Sequence, residues 1–242
     1  MISICRLRSR IEGRQSSTVM SWKRPGLAPA WIALLLLGAS PPDSLRDAEP
    51  PPSPRRAAPV GRILFFDDFG TDTLQLWQTD RQGVWTVRNG MLRGDLPNRR
   101  QVRSLISIAG SHWQDVRVDL DVCALRGVDK GVAIRATDEQ GIAIDLRGPG
   151  YDDVLLHRGR HKIGTAGIAN ANGQWHHIRI EASGPRYRVF VNDRLLIERE
   201  DHKRVVAGRV GLAAYTGGVG MCTVYYDNVV VTALDSTAED SR

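Results

Sequence analysis

The sequence predicts an all-β protein: a two-sheet antiparallel β-sandwich. Three observations predict it. Apolar and polar residues alternate with a period of two in run after run between Arg62 and Ala233. Turn signals separate those runs at a spacing of roughly 8–12 residues. Two aromatic-acid strings bracket the stretch, Phe65-Phe66-Asp67-Asp68-Phe69 at its start and Tyr225-Tyr226-Asp227-Asn228-Val229 at its end. Such a bracket is expected where the first and last strands of a closed unit lie together. No amphipathic helix competes with this reading.

Taken in order, residues 1–40 read as a leader, with Met20 as an alternative start. Lys23-Arg24 precede an apolar run, Ala30 to Leu37, and then small residues, the pattern of a secretory signal. The run is about ten residues, half of the roughly twenty that span a bilayer. Pro41 directly after the small residues disfavours cleavage, and an uncleaved leader would act as a membrane tether. Residues 41–60 hold Pro41-Pro42, Pro50-Pro51-Pro52, Pro54 and Pro59, which reads as a semi-rigid spacer. Residues 61–234 form the domain, and 235–242 a disordered tail. Export followed by a spacer places the domain outside the cytoplasm: periplasmic, extracellular or envelope-associated.

The net charge of +6 belongs to the leader and spacer. Residues 1–60 carry nine Lys/Arg and four Asp/Glu, whereas the remainder carries 24 and 23. A nucleic-acid-binding domain carries its own basic face, so nucleic acid is excluded as a partner.

Within the domain, the strands alternate as Val116/Val118/Leu120/Val122 against Arg117/Asp119/Asp121/Cys123. The pattern repeats at 132–135, 142–147, 175–181, 187–191 and 224–229. Asn89-Gly90, Arg126-Gly127, Gly148-Pro149-Gly150, Asn172-Gly173, Ser183-Gly184-Pro185 and Asn192-Asp193 supply the turns. Trp85 and Trp175 each begin a strand, where an indole packs in the core or at a sheet edge rather than forming a sugar platform. Cys123 and Cys222 lie on two strands. In an oxidising compartment they form a disulfide, or they stay as two separate buried thiols.

These residues also carry a resemblance. Phe66-Asp67-Asp68-Phe69, Trp77 and Gly83-Val84-Trp85-Thr86-Val87-Arg88-Asn89-Gly90 resemble the opening of concanavalin A-like lectin/glucanase domains. Gly173-Gln174-Trp175-His176-His177-Ile178-Arg179-Ile180, Tyr187-Arg188-Val189-Phe190-Val191-Asn192-Asp193, Gly208-Arg209-Val210-Gly211-Leu212 and Tyr226-Asp227-Asn228-Val229 are similar to that superfamily's later strands. The nearest groups are laminin-G-like modules and 3-keto-disaccharide hydrolases. The resemblance covers residues 61–234 and implies the jelly-roll fold. It also implies a structural Ca²⁺ with the carboxylate of Asp227 and oxygens from Asp68 and Gly90.

The chain departs from the catalytic patterns of these relatives. A retaining glycosidase needs two carboxylates about 5 Å apart, and Asp119-Leu120-Asp121 has no third acid in register. Asp129-Lys130-Gly131 stands where the hydrolase group often has Asn-Ser-Gly. No nucleophile elbow or phosphate loop occurs, and the His157/His161 and Ser111/His112 pairs lack the geometry for chemistry.

Alternation then nominates Arg135, Asp145, Arg147, Tyr151 and His157 for one open, concave sheet face. Acid, guanidinium, imidazole and aromatic groups suit a polyhydroxylated ligand. The expected function is an exported lectin-like module that binds a glycan. The alternatives are a glycoside or 3-keto-disaccharide hydrolase, with Asp145 and His157 as acid and base, or a laminin-G-like protein adhesion module.

Overall fold

The computed structural model describes residues 48–54, 61–71, 73–97, 99–148 and 150–234. The leader and tail lie outside the described residues. The described residues form fifteen strands: β1 (Ile63–Asp67), β2 (Trp77–Thr79), β3 (Trp85–Arg88), β4 (Met91–Leu96), β5 (Arg103–Ile108), β6 (Val116–Arg126), β7 (Asp129–Ala136), β8 (Ile142–Arg147), β9 (Asp153–Arg158), β10 (His161–Gly167), β11 (Trp175–Ser183), β12 (Arg186–Val191), β13 (Arg194–Glu200), β14 (Arg209–Tyr215) and β15 (Cys222–Ala233). No helix occurs among the described residues.

The strands form two antiparallel sheets. The first runs β13-β12-β11-β6-β15-β4-β3, with β1 also on β15; the second runs β10-β9-β8-β7-β14-β5-β2. The chain closes as the bracket required: Phe66 pairs with Val230 and Asp67 with Val229. Alternate residues from both sheets fill the core, among them Val118, Leu120 and Val122 from β6, and Ile142, Ile144 and Leu146 from β8. Tyr226 spans the layers. Its hydroxyl donates to the Ala213 carbonyl at 2.6 Å and accepts from the Gly131 amide at 3.0 Å, fixing β15 of the first sheet to β7 and β14 of the second.

Face parity decides the cysteines. Cys222 lies in the core with Val224 and Tyr226, whereas Cys123 pairs with Tyr225 on the outer side of the same sheet. A disulfide needs Cβ atoms within about 4.5 Å and facing each other. Both thiols are therefore free and buried, which corrects the disulfide expectation. β15 also changes parity beyond Asp227, where a bulge intervenes and Asn228 takes φ +52°.

The middle of the first sheet's outer face is taken up by its own ion pairs and by residues 48–54. His177 sits between Asp121 Oδ1 (3.1 Å) and Asp119 Oδ1 (3.3 Å), and Arg117 and Arg179 also hold Asp119. Burial alone would raise the Asp119 carboxyl, but the His177 and Arg117 hydrogen bonds prevail and hold it at about 2. Residues 48–54, read from composition as a spacer, lie across this face. Trp175 Nε1 donates to the Pro51 carbonyl at 2.7 Å, and the Tyr225 hydroxyl donates to the Ala48 carbonyl at 3.3 Å.

Candidate functional site

The outer face of the second sheet is open, and strand register sets its chemistry. One row runs Arg103, Tyr215, Asp129, Arg147 and Asp153 across β5, β14, β7, β8 and β9. The next row on that face is Leu105, Ala213, Gly131, Asp145 and Leu155, and the one after includes Gly211, Ala133, Ala143 and His157. Small residues thus pave the middle strands while long polar ones stand around them. The result is a groove of about 360 Å³ lined by Arg103, Asp129, Asp145, Arg147, His157 and Tyr215, with Arg160 and Lys162 at its edge.

Asp145 and His157 are diagonal neighbours on β8 and β9 and meet directly. His157 Nε2 lies 2.8 Å from Asp145 Oδ2, and Nδ1 lies 2.7 Å from the Gly159 carbonyl oxygen. A carboxylate and a carbonyl only accept, so the imidazolium form, with both ring nitrogens donating, is the one that satisfies both contacts. Its hydrogen bond to Asp145 outweighs burial and raises the His157 pKa above the ordinary 6.5. The stability this adds is full below 6.5 and is lost as pH rises through the raised value. Arg103 reaches the same Asp145 oxygen at 3.8 Å. The carboxylate lies over Gly131: a Cβ there would stand 2.3 Å from Asp145 Oδ1 and 2.8 Å from the Ile144 carbonyl oxygen. Only glycine leaves room for this placement.

Two arginine–tyrosine pairs flank the acids. The Arg147 guanidinium lies 4.7 Å from the Tyr151 ring centroid and grips Asp153 at 2.8 and 2.6 Å. The Arg103 guanidinium lies 5.3 Å from the Tyr215 ring centroid. Tyr151 is 61% exposed and packs on Arg147, outside the groove's lining. Such cation–π pairs hold the guanidinium planes in place.

Arg135 goes elsewhere. A bulge where β7 meets β14 gives it φ +51°, which re-aims the side chain. Its guanidinium donates to the carbonyls of Gln114 (2.6 Å) and Gly184 (2.8 Å), to the Tyr187 hydroxyl (2.6 Å) and to Asp115 (2.9 Å). It is 2% exposed and ties the two sheets together, so it is removed from the expected ligand-binding set.

Sequence reasoning missed Asp129, Arg103 and Tyr215. Asp129 Oδ1 is buried and receives no hydrogen bond among the described residues. Burial, with the Asp145 charge adding, pushes its carboxyl up to about 6. The signal was present at Asp129-Lys130-Gly131, read above only as a departure from a family pattern.

The residues nominated for Ca²⁺ share a different groove. Asp68, Gly90 and Asp227 line it with Asn89, Met91, Asn228 and residues 49–50 and 52–54. Ser53 Oγ donates to Asp227 Oδ2, and the Asn228 amide donates to Oδ1 at 2.7 Å. Burial raises the Asp227 carboxyl, and the Asp121 and Asp68 charges add to the rise. Two carboxylates, a hydroxyl and nearby carbonyls are hard oxygen donors of the kind Ca²⁺ takes. No cluster of three or more His, Cys, Asp or Glu suited to a metal occurs among the described residues.

Solved structures share the fold. A carbohydrate-binding module, CBM66 from Bacillus subtilis, is 19% identical, with a TM-score of 0.56 over 67% of this chain and 99% of its own. The β-glucanase of Bacillus licheniformis is 11% identical, with a TM-score of 0.58 over 73% and 100%. The exoplasmic/lumenal domain of VIP36, in a Ca²⁺/Man3GlcNAc-bound form, is 14% identical, with a TM-score of 0.57 over 72% and 91%. No curated protein matches the chain in sequence. What the three structures share with this chain is the fold, a two-sheet β-sandwich. The sequence profile of the 3-keto-alpha-glucoside-1,2-lyase-like domain matches residues 61–232, nearly the whole β-sandwich, and the chain belongs to that family.

Proposed function

We propose that the protein binds a sugar in the groove on the second sheet. The observation that carries this reading is the row of Arg103, Tyr215, Asp129 and Arg147 beside the Asp145–His157 pair. Fixed donors and acceptors over a floor of small residues suit the hydroxyls and the carbon–hydrogen face of a pyranose. The solved carbohydrate-binding module, lectin domain and glucanase of the same fold support a saccharide as the ligand class. A glycan array with the purified protein tests this. Asp145→Asn is expected to weaken the strongest signal by about tenfold, as for a lost charge-assisted hydrogen bond; an unchanged signal would exclude this groove.

A second reading, chemistry on the bound sugar, is favoured by the family and by the direct Asp145–His157 contact. In a 3-keto α-glucoside the proton on C2 is acidified by the neighbouring carbonyl. Its removal allows the C1–O bond to break by 1,2-elimination. Glycoside hydrolysis is the other form of this reading. Binding without release of free sugar would favour the module; release would favour the enzyme.

Asp227, Asp68 and the Gly90 carbonyl are the residues that would hold a structural Ca²⁺, which would neutralise the carboxylates beside β15 and fasten residues 49–54 to the domain. Millimolar Ca²⁺ is then expected to raise Tm and EDTA to lower it. A Tm indifferent to both would remove the ion from the account. The basic, apolar leader, outside the described residues, supports export, with the sugar met in the envelope or beyond it.

A further inference from the structure

We propose that Asp129, rather than Asp145 or His157, is the group that exchanges a proton with the sugar in the groove. The proposal rests on the second reading above, that the groove acts on a keto sugar. Both nitrogens of His157 are engaged, one by Asp145 and the other by the Gly159 carbonyl. Asp145 is engaged by His157 and lies near Arg103. His157 cannot take a proton from carbon without first breaking one of these contacts, and Asp145 already holds His157 on its Oδ2.

Asp129 differs. It lines the same groove, between Tyr215 and Arg147 in the strand register. Its Oδ1 has no hydrogen-bond partner among the described residues, and a Cβ placed on Gly217, in the turn after β14, would stand 3.9 Å from its Oδ2. An unpartnered buried carboxylate oxygen is costly to maintain and calls for an explanation. The charged groups around it act in both directions: burial and Asp145 favour the neutral form, while Arg147, Arg103 and Lys130 favour the ionised one. The balance, at about 6, leaves a carboxylate that is mostly ionised at neutral pH and more basic than an ordinary one, as a general base requires.

The step balances without a co-reactant. Asp129 takes the C2 proton of a 3-keto α-glucoside, and the C2–H electron pair passes through the enolate to form the C1=C2 bond. The C1–O bond breaks with its pair on the departing oxygen. That oxygen takes a proton from solvent in the open groove, and Asp129 returns its own proton to solvent. The products are an unsaturated keto sugar and a free alcohol.

The test uses the full chain and the 3-keto derivative of an α-linked glucose disaccharide, following release of free sugar across roughly pH 4 to 8. The unmodified protein should gain kcat/KM as pH rises through about 6. Asp129→Asn should lose about 100-fold or more and show no such limb, whereas His157→Gln should slow the reaction and keep it. Carboxyl NMR of the unmodified protein should place the Asp129 titration near 6, which checks the assignment without a variant. A limb that persists in Asp129→Asn, or an Asp129 titration near the ordinary value of about 4, overturns the proposal and leaves the reading intact. Absence of turnover by the unmodified protein overturns both.

Discussion

Lys130→Met is expected to stabilise the domain by about 3 kcal/mol at neutral pH. Lys130 is 1% exposed, and its ammonium has no hydrogen-bond partner among the described residues. It points inward from β7, level with Leu146 of β8 and Ala214 of β14, both core residues. Burial lowers its pKa from 10.5 to about 8. The unfolded chain keeps the proton up to 10.5 and the folded one only to about 8. Stability therefore rises with pH between those values and carries the full deficit below the lower one. Methionine fills a similar volume without a charge, so the variant should gain stability at pH 7 and lose the rise. Urea midpoints at about pH 7 and about pH 10 measure both. Equal midpoints for the two proteins at neutral pH would show that the ammonium has a buried partner. A residue that costs this much stability marks a place where function and folding conflict, and Lys130 lies directly beneath the groove, next to Asp129.

Arg135→Ala is expected to destabilise the domain by about 3–5 kcal/mol while leaving the groove's sugar contacts unchanged in the fraction that remains folded. The guanidinium donates to two carbonyls, a tyrosine hydroxyl and a carboxylate from two segments, Gln114-Asp115 and the β11–β12 hairpin. Removing it leaves these groups unpaired in a closed space. Arg135→Lys should recover little, because one ammonium cannot reproduce the planar fork. Thermal unfolding measures the loss. A drop below about 1 kcal/mol would show that the partners find water instead.

The fold was legible because each strand announced itself locally. Period-two alternation, the glycine and asparagine turns and the matched ends led to one closed sandwich, and β1 on β15 is its seal. Asp145 and His157 were nominated for the same face because simple alternation holds across β8 and β9. Arg135 was misplaced because alternation assumes an unbroken ladder, and a bulge is a property of the pair of strands rather than of either one. Parity could have told Cys222 from Cys123 only with the register of β15 known, which no local pattern supplies. The docking of residues 48–54 was hidden for a related reason. Proline content reports backbone preference, whereas the indole of Trp175 and the carboxylate of Asp227 that receive the segment lie more than a hundred residues away in sequence. Lys130 was open to the same rule but was read only as part of a departure from a family pattern: it shares parity with Val132 and Ile134, which points it inward. Asp129 then had to point outward.

The central claim is that sugar binds on the second sheet. Amide NMR mapping of the labelled protein, titrated with the same 3-keto disaccharide, tests it most directly. Shifts centred on Gly131, Ala143, Asp145 and Leu155, with Tyr215 and Arg103 at their border, are the predicted result. Shifts confined to Trp175, Tyr225 and the segment that covers them would place the ligand on the opposite sheet and contradict the account.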